Sequence, residues 1–182
     1  MTPTLRTDAQ ENRQRILAVA AEALTQDGTV SLNAIAKRAG VGPGTLYRHF
    51  PDRESLVMAV YRHDVAALVA SAADLLQQQP PAAALRDWCL RLGRFGLLKH
   101  GLSDVLRTST GRRLHGESYE PVVQALGLLM SAAERAGAVR SGVAPADLLL
   151  LLGFLWRLDP DDDWEQRAGE LLTVVLDGLS PG

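Results

Sequence analysis

Apolar residues recur along this chain at steps of three and four. No stretch sustains period-two alternation and no Asn-Gly hairpin turn occurs, so the pattern predicts helix throughout, in about nine segments. The first, over about residues 9–26, carries Ile16, Ala20, Ala23 and Leu24 on one stripe. Two short helices follow between residues 31 and 50. A fourth, over about 52–78, sets Leu56, Val60, Asp64 and Ala67 along one side. Asp52 is its expected N-cap, Glu54 lies in its first turn beside the positive helix end, and the run from Gln77 to Pro81 ends it. The fifth, over about 82–99, places Leu85, Trp88, Leu92 and Phe95 at helical spacing and closes at Gly101. A short sixth, about 102–108, leads into residues 109–116, polar and glycine-flanked, which read as a mobile loop. The seventh, 118–136, turns Val122, Leu126, Leu129, Met130 and Ala133 inward. Pro145-Ala146-Asp147 opens an eighth ending at Leu158, and Asp161-Asp162-Asp163-Trp164-Glu165 opens a ninth ending near Leu179.

Residues 31–50 read as a helix-turn-helix. Leu32, Ile35 and Ala36 share one face, Gly40 suits the left-handed backbone that stops a helix, and Pro43 suits the first turn of the next. In such a pair the second helix can lie in a DNA major groove. Residues 42–49 are then expected to meet DNA while Leu46 and Phe50 hold the helix to its neighbours. The eighth helix poses a different question: Leu148 to Leu152 with Phe154, Leu155 and Trp156 cover every direction around its axis. One face can bury at home and the opposite face needs cover. The ninth adds a stripe of Leu171, Leu172, Val175, Leu176 and Leu179, so a partner chain bringing the same two helices would complete a four-helix interface; the plainer alternative is that both helices are core of a monomer.

From about Asn12 to Leu56 the chain resembles the TetR/AcrR family of one-component bacterial transcriptional regulators. Arg15-Ile16-Leu17 with Ala20, Ala21 and Leu24 resembles the family's first helix, Asp27-Gly28 its closing turn, and Ile35-Ala36-Lys37-Arg38-Ala39-Gly40-Val41 its second helix and turn. Gly44-Thr45-Leu46-Tyr47-Arg48-His49-Phe50 resembles the recognition helix, and the run from Pro51 to Leu56 the start of the fourth, with Arg53 where most members have lysine. The resemblance implies an all-α protein with a three-helix DNA-binding domain, residues 1–56, and a larger ligand-binding and dimerisation domain, residues 57–182. It implies a cytoplasmic homodimer, nucleoid-associated when bound, that holds double-stranded, pseudo-palindromic operator DNA, responds to a small-molecule effector and acts as a repressor.

Composition bounds these expectations. A chain of 182 residues, 47% hydrophobic, has ample material for a core. Its single Cys89 excludes an internal disulfide and reads as a small core hydrophobe. Residues 1–11 are polar, and the longest apolar run, 148–156, falls short of the roughly 20 residues that span a bilayer, so no membrane role is expected. The net charge is −2: residues 1–56 hold seven Lys/Arg against six Asp/Glu, and residues 57–182 twelve against fifteen. So little charge makes placement of the few cations decisive.

The residues expected at DNA are Ser31, Lys37, Gly42, Pro43, Gly44, Thr45, Tyr47, Arg48, His49 and Arg53. Tyr47 suits a phosphate or a sugar face, Arg48 is the one long cation on the recognition helix, and Arg53 suits a phosphate. Ser31 is first a helix cap. Lys37 and Arg38 supply field more than a named contact. Gly42, Pro43 and Gly44 put almost no side chain at the tip, which limits direct base readout and leaves backbone amides and Thr45 at close approach. Arg6, Arg13 and Arg15 suit an N-terminal arm along the backbone or a minor groove.

Trp88, Leu92, Phe95, Leu126 and Met130 are ordinary core by default, and the resemblance puts an effector cavity in that region. His100, His115 and Arg113 suit polar ligand contacts or solvent-facing positions equally. The dimer interface is expected at Leu148, Leu151, Leu152, Leu155, Leu172, Val175 and Leu176. Acids at 159 and 161–163 more often cap a helix than hold a metal, and no cofactor is expected. A helical enzyme is the rival from another class. No phosphate-cradling glycine loop, metal-spaced histidine pair or nucleophile motif supports it. A ligand-blind architectural DNA binder is the third reading, disfavoured by the near-neutral charge.

Overall fold

The computed structural model describes residues 3–159 and 163–181, with side chains at all of these except 3–9, 98–101, 103 and 104. Among them the periodicity resolves into α1 Pro3–Gln26, α2 Leu32–Arg38, α3 Pro43–His49, α4 Arg53–Gln78, α5 Pro81–Gly101, α6 Ser103–Leu106, α7 Ser109–Arg135, α8 Pro145–Leu151 and α9 Trp164–Asp177. A 3₁₀ segment, Leu152–Trp156, runs on from α8. No strand occurs among the described residues. The fold is all-α, as the pattern predicts.

Backbone contacts divide the chain into two compact units. The first joins Met1–Asp64 to Leu98–Leu114, and the second joins Val65–Leu97 to His115–Gly182. A linear reading does not anticipate the second segment of the first unit. That unit buries Ile16, Leu17, Ala20 and Leu24 of α1, Ile35 of α2, Leu46 of α3, Phe50 after it, and Leu56, Val57 and Val60 of α4 almost completely. Each of these Val, Leu, Ile and Phe side chains contributes about 1.5–3 kcal/mol of burial. α1 is therefore held by one stripe, and its remaining faces stay wet.

The second unit centres on Trp88, Leu92, Leu126, Leu129, Met130, Leu148, Leu152, Leu155, Ala168 and Leu172, each at most 2% exposed. The Trp88 indole N–H donates to the Leu68 carbonyl at 2.9 Å, which removes the cost of burying it. Arg86 on α5 ties down α9, donating to Thr173 Oγ1 at 2.8 Å and the Gly169 carbonyl at 3.0 Å. Cys89 is fully buried, and burial pushes its thiol up to about 12, so it is an inert core hydrophobe.

Several boundaries depart from the sequence expectation. Residues 109–116 form the first turns of α7 and not a loop. The Thr108 hydroxyl accepts the Gly111 N–H at 3.1 Å and the Thr108 carbonyl accepts the Arg112 N–H at 2.9 Å, so a capped start outweighs the glycines. The expected single eighth helix splits, because tightening to three residues per turn puts Leu152 and Leu155 on one face, where both are fully buried. α4 is also long and apolar enough to cross a membrane, which the shorter apolar run at 148–156 is not. Half of that stretch of α4 is buried within the protein, as in a core helix.

Candidate nucleic-acid interface

The helix-turn-helix is assembled by local chemistry. Ser31 caps α2, its hydroxyl accepting the Ala34 N–H at 3.2 Å. Gly40, at φ +65°, lets the chain leave α2: the Gly40 N–H donates to the Lys37 carbonyl at 3.2 Å and the Val41 N–H to the Ala36 carbonyl at 3.0 Å. This paired C-terminal cap needs a left-handed residue, which glycine adopts without strain. Gly42 is extended and Pro43 occupies the first turn of α3, where a missing N–H costs nothing. Leu46 and Phe50 are buried and anchor α3. Gly42, Pro43, Gly44, Tyr47 and Arg48 remain exposed, and Thr45 and His49 are half-buried.

α3 thus presents one wet face. The tip is open: a Cβ added at Gly42 or Gly44 would meet nothing within 4 Å. Arg48 folds along its own helix, donating to the Gly44 carbonyl and to Thr45 Oγ1, both at 3.2 Å. Those are weak exposed bonds that a phosphate or base edge can replace. Ser31 and Lys37 are exposed as well.

Arg53 departs from expectation. Its guanidinium donates to the Val30 carbonyl at 2.5 Å and to the Gly28 carbonyl, so both arms of the fork are engaged by the α1–α2 turn. The clasp is a role the sequence did not predict, and it suits the planar fork, which straddles two carbonyls as the family's more usual lysine could not. Asp27 finishes the same turn, its carboxylate accepting the Thr29 N–H and hydroxyl, which hold it below the usual carboxylate range. Asp52, the expected cap of α4, accepts the Ser55 N–H at 2.7 Å, and that bond lowers its carboxyl too. No sequence signal separated the clamp from a phosphate contact, since each needs the same cation at the same place.

The N-terminal arginines are not on an extended arm. α1 starts at Pro3, so Arg13 and Arg15 ride on a helix. Arg13 stacks over the Phe50 ring at 5.4 Å from its centroid, and Arg15 bonds Asn12. The side chain of Arg6 lies outside the described residues, as do that of His100 and all of Asp161 and Asp162. Among the described residues no group of three His, Cys, Asp or Glu is placed to hold a metal.

In the second unit, Trp88, Leu92, Leu126 and Met130 are buried together and Phe95 is half-buried. Sequence reasoning missed Trp164. It is 3% exposed, its indole N–H has no acceptor, and its ring lies where a Cβ on Gly93 would come within 2.9 Å. The signal was the pair Gly93 and Gly96 on α5, since Gly96 makes room for Trp156 in the same way. The expected dimer set also needs correction. Leu148, Leu152, Leu155 and Leu172 are fully buried within the protomer and have no area left for a partner. On α8 and α9 the exposed apolar residues are Leu150 at 79%, Val174 at 70%, Leu151 at 57% and Leu171 at 40%, with Val175 and Leu176 half-buried.

Comparisons with known proteins agree with this architecture. The family model for bacterial regulatory proteins of the tetR family matches residues 16–60, and one described as transcriptional regulator SbtR-like, C-terminal domain, matches residues 80–181. The crystal structure of a TetR transcriptional regulator from Streptomyces coelicolor is 40% identical with a TM-score of 0.84, covering 93% of this chain and 98% of that one. A TetR regulatory protein from Mycobacterium vanbaalenii is 34% identical with a TM-score of 0.79, covering 97% and 99%. An HTH-type transcriptional regulator of Staphylococcus aureus (strain USA300) is 46% identical over 63 residues, a match spanning only 34% of each chain. Matches at both ends of the chain, a solved relative covering nearly all of it, and a capped helix-turn-helix with an exposed second helix lead to one conclusion: the chain belongs to the TetR family of DNA-binding transcriptional regulators.

Proposed function

We propose that this protein is a cytoplasmic, homodimeric repressor that holds a pseudo-palindromic operator and releases it, or changes grip, when a small molecule enters the larger domain. Residues 1–56 bind DNA, with Tyr47, Arg48, Thr45 and His49 of α3 in the major groove and Ser31 and Lys37 beside it. Residues 57–182 bind the effector and the second subunit. The observation that supports the dimer is the exposure of Leu150 and Leu151 on α8 and of Leu171 and Val174 on α9, large apolar side chains that a partner would cover. Two α3 helices related by a two-fold axis then reach successive major grooves, about 34 Å apart or a multiple of it.

The effector reading is supported by a donor in an apolar setting. Trp164 keeps its N–H from water without an acceptor, beside a core holding Trp88, Leu92, Leu126 and Met130, so a ligand with a carbonyl or similar acceptor relieves that cost on entry. Sequencing the DNA retained by the purified protein tests the operator half of the reading. Two-fold sites with half-sites one turn apart are expected, and recovery of only asymmetric sites bound by monomers overturns it.

A further inference from the structure

The first unit owes its charge to a segment far from the helix-turn-helix in sequence. Residues 1–64 hold eight Lys/Arg against seven Asp/Glu, a net of +1. Residues 98–114 add Lys99, Arg107, Arg112 and Arg113 against Asp104, which brings the unit to +4. The other unit holds seven against thirteen, a net of −6.

Three of the added cations are gathered at one corner. α6 ends at Leu106 and α7 begins at Ser109. Gly111 lets the first turn of α7 press on the α6 backbone: a Cβ there would stand 2.4 Å from the Val105 carbonyl oxygen and 2.6 Å from Leu106 Cα. Arg112 Nη1 donates to the Arg107 carbonyl at 2.7 Å, which draws residue 112 back over residue 107. Arg107, Arg112 and Arg113 are all exposed. The corner has a defined place beside the DNA-reading helices, because the Thr108 hydroxyl meets Glu54 Oε1 at 3.5 Å. Glu54 stands in the first turn of α4, four residues after Phe50, the cap of α3. Against three guanidiniums, the nearby carboxylates are Glu54 by contact and Asp104 and Glu117 by sequence.

We propose that this α6–α7 corner is a second DNA-binding surface, in which Arg107, Arg112 and Arg113 take backbone phosphates flanking the groove read by α3. Guanidinium forks match phosphate oxygens, and phosphate contacts supply affinity and register without reading sequence. An exposed cluster meets a phosphate with little desolvation. The inference rests on the chain's binding DNA and adds a surface to it. It also accounts for how a protein of net charge −2 approaches a polyanion, since the cations sit on the unit that carries α3.

The test is the salt dependence of binding by the full chain to a mixed-sequence duplex of about 40 base pairs, titrated from about 50 to 200 mM KCl. Replacing all three arginines by alanine should lower the slope of log affinity against log salt by about 2.7, about 0.9 for each phosphate left without its arginine. The wild type would then lose about 40-fold more affinity than the variant across that range. Arg107→Gln and Arg113→Gln, each removing one exposed charge, should lower it by about 0.9 apiece and keep the test open if the triple variant misfolds. Alanine at Arg135, Arg140 and Arg157 of the other unit removes the same charge and should leave the slope unchanged. An unchanged slope in folded corner variants overturns the proposal, and so does an equal fall in the control, which would mark a general field effect. If the wild type shows no salt-dependent binding, it is the DNA-binding reading that fails.

Discussion

The Arg53 guanidinium illustrates how one side chain determines the placement of others. By holding the Gly28 and Val30 carbonyls it fixes the turn that delivers Ser31 to its capping position. Charge-assisted bonds of this kind are worth about 1.5–3 kcal/mol, so Arg53→Ala should lose about that much in urea denaturation, and Arg53→Lys should recover only part of it. The salt slope of DNA binding should stay unchanged. A slope lowered by about one with stability intact would restore the phosphate role. Gly44 makes the opposite case. Nothing in the fold opposes a Cβ there, so Gly44→Ala should fold with equal or greater stability, by up to about 1 kcal/mol, while weakening operator binding by filling the tip. Undiminished binding would show that the bare tip is not used. Trp164→Phe removes a buried donor that has no acceptor but leaves a cavity where the indole stood against Gly93, so it should lower stability modestly and diminish the effector response of operator binding; a full response would clear Trp164 of the ligand role.

At the scale of elements, α8 and α9 separate two uses of leucine that look alike in sequence. Leu155→Glu places a carboxylate in the protomer's own core and should unfold the chain or make it insoluble, since an unpaired buried charge costs several kcal/mol. Leu150→Glu or Leu151→Glu alters a wet face and should give folded monomers by sedimentation; an unchanged dimer would move the interface elsewhere. Capped helix starts give a pH prediction. The carboxyls of Asp27 and Asp52 are lowered in the folded state from a reference of 3.8, so their contribution is present above that value and is lost as pH falls through the folded values. The thermal midpoint of the wild type should therefore show an acid limb below about pH 4 that Asp27→Asn and Asp52→Asn flatten. An identical limb in both variants would put the acid sensitivity elsewhere.

At the scale of the molecule, the proposed coupling between effector and operator is a free energy shared by two sites, so it must be reciprocal. A coupling of about 1–3 kcal/mol means a roughly 5- to 150-fold loss of operator affinity with effector bound, and operator DNA must weaken the effector by the same factor in calorimetric titration. A tight effector that leaves operator affinity untouched would reduce the second domain to a dimerisation platform. Much of this protein was legible along the chain. The period of apolar residues set the all-helical class, and Ser31, Gly40, Pro43 and Asp52 set the ends of α2, α3 and α4, because caps act over three or four residues and are written locally. What the chain alone left undecided depends on neighbours distant in sequence. Only packing decided that Leu155 is core and Leu150 is surface, that Arg53 clasps a turn some twenty residues earlier, and that the arginines of residues 98–114 belong with the DNA-reading helices. Periodicity gives the faces of a helix, and tertiary structure alone says what each face meets.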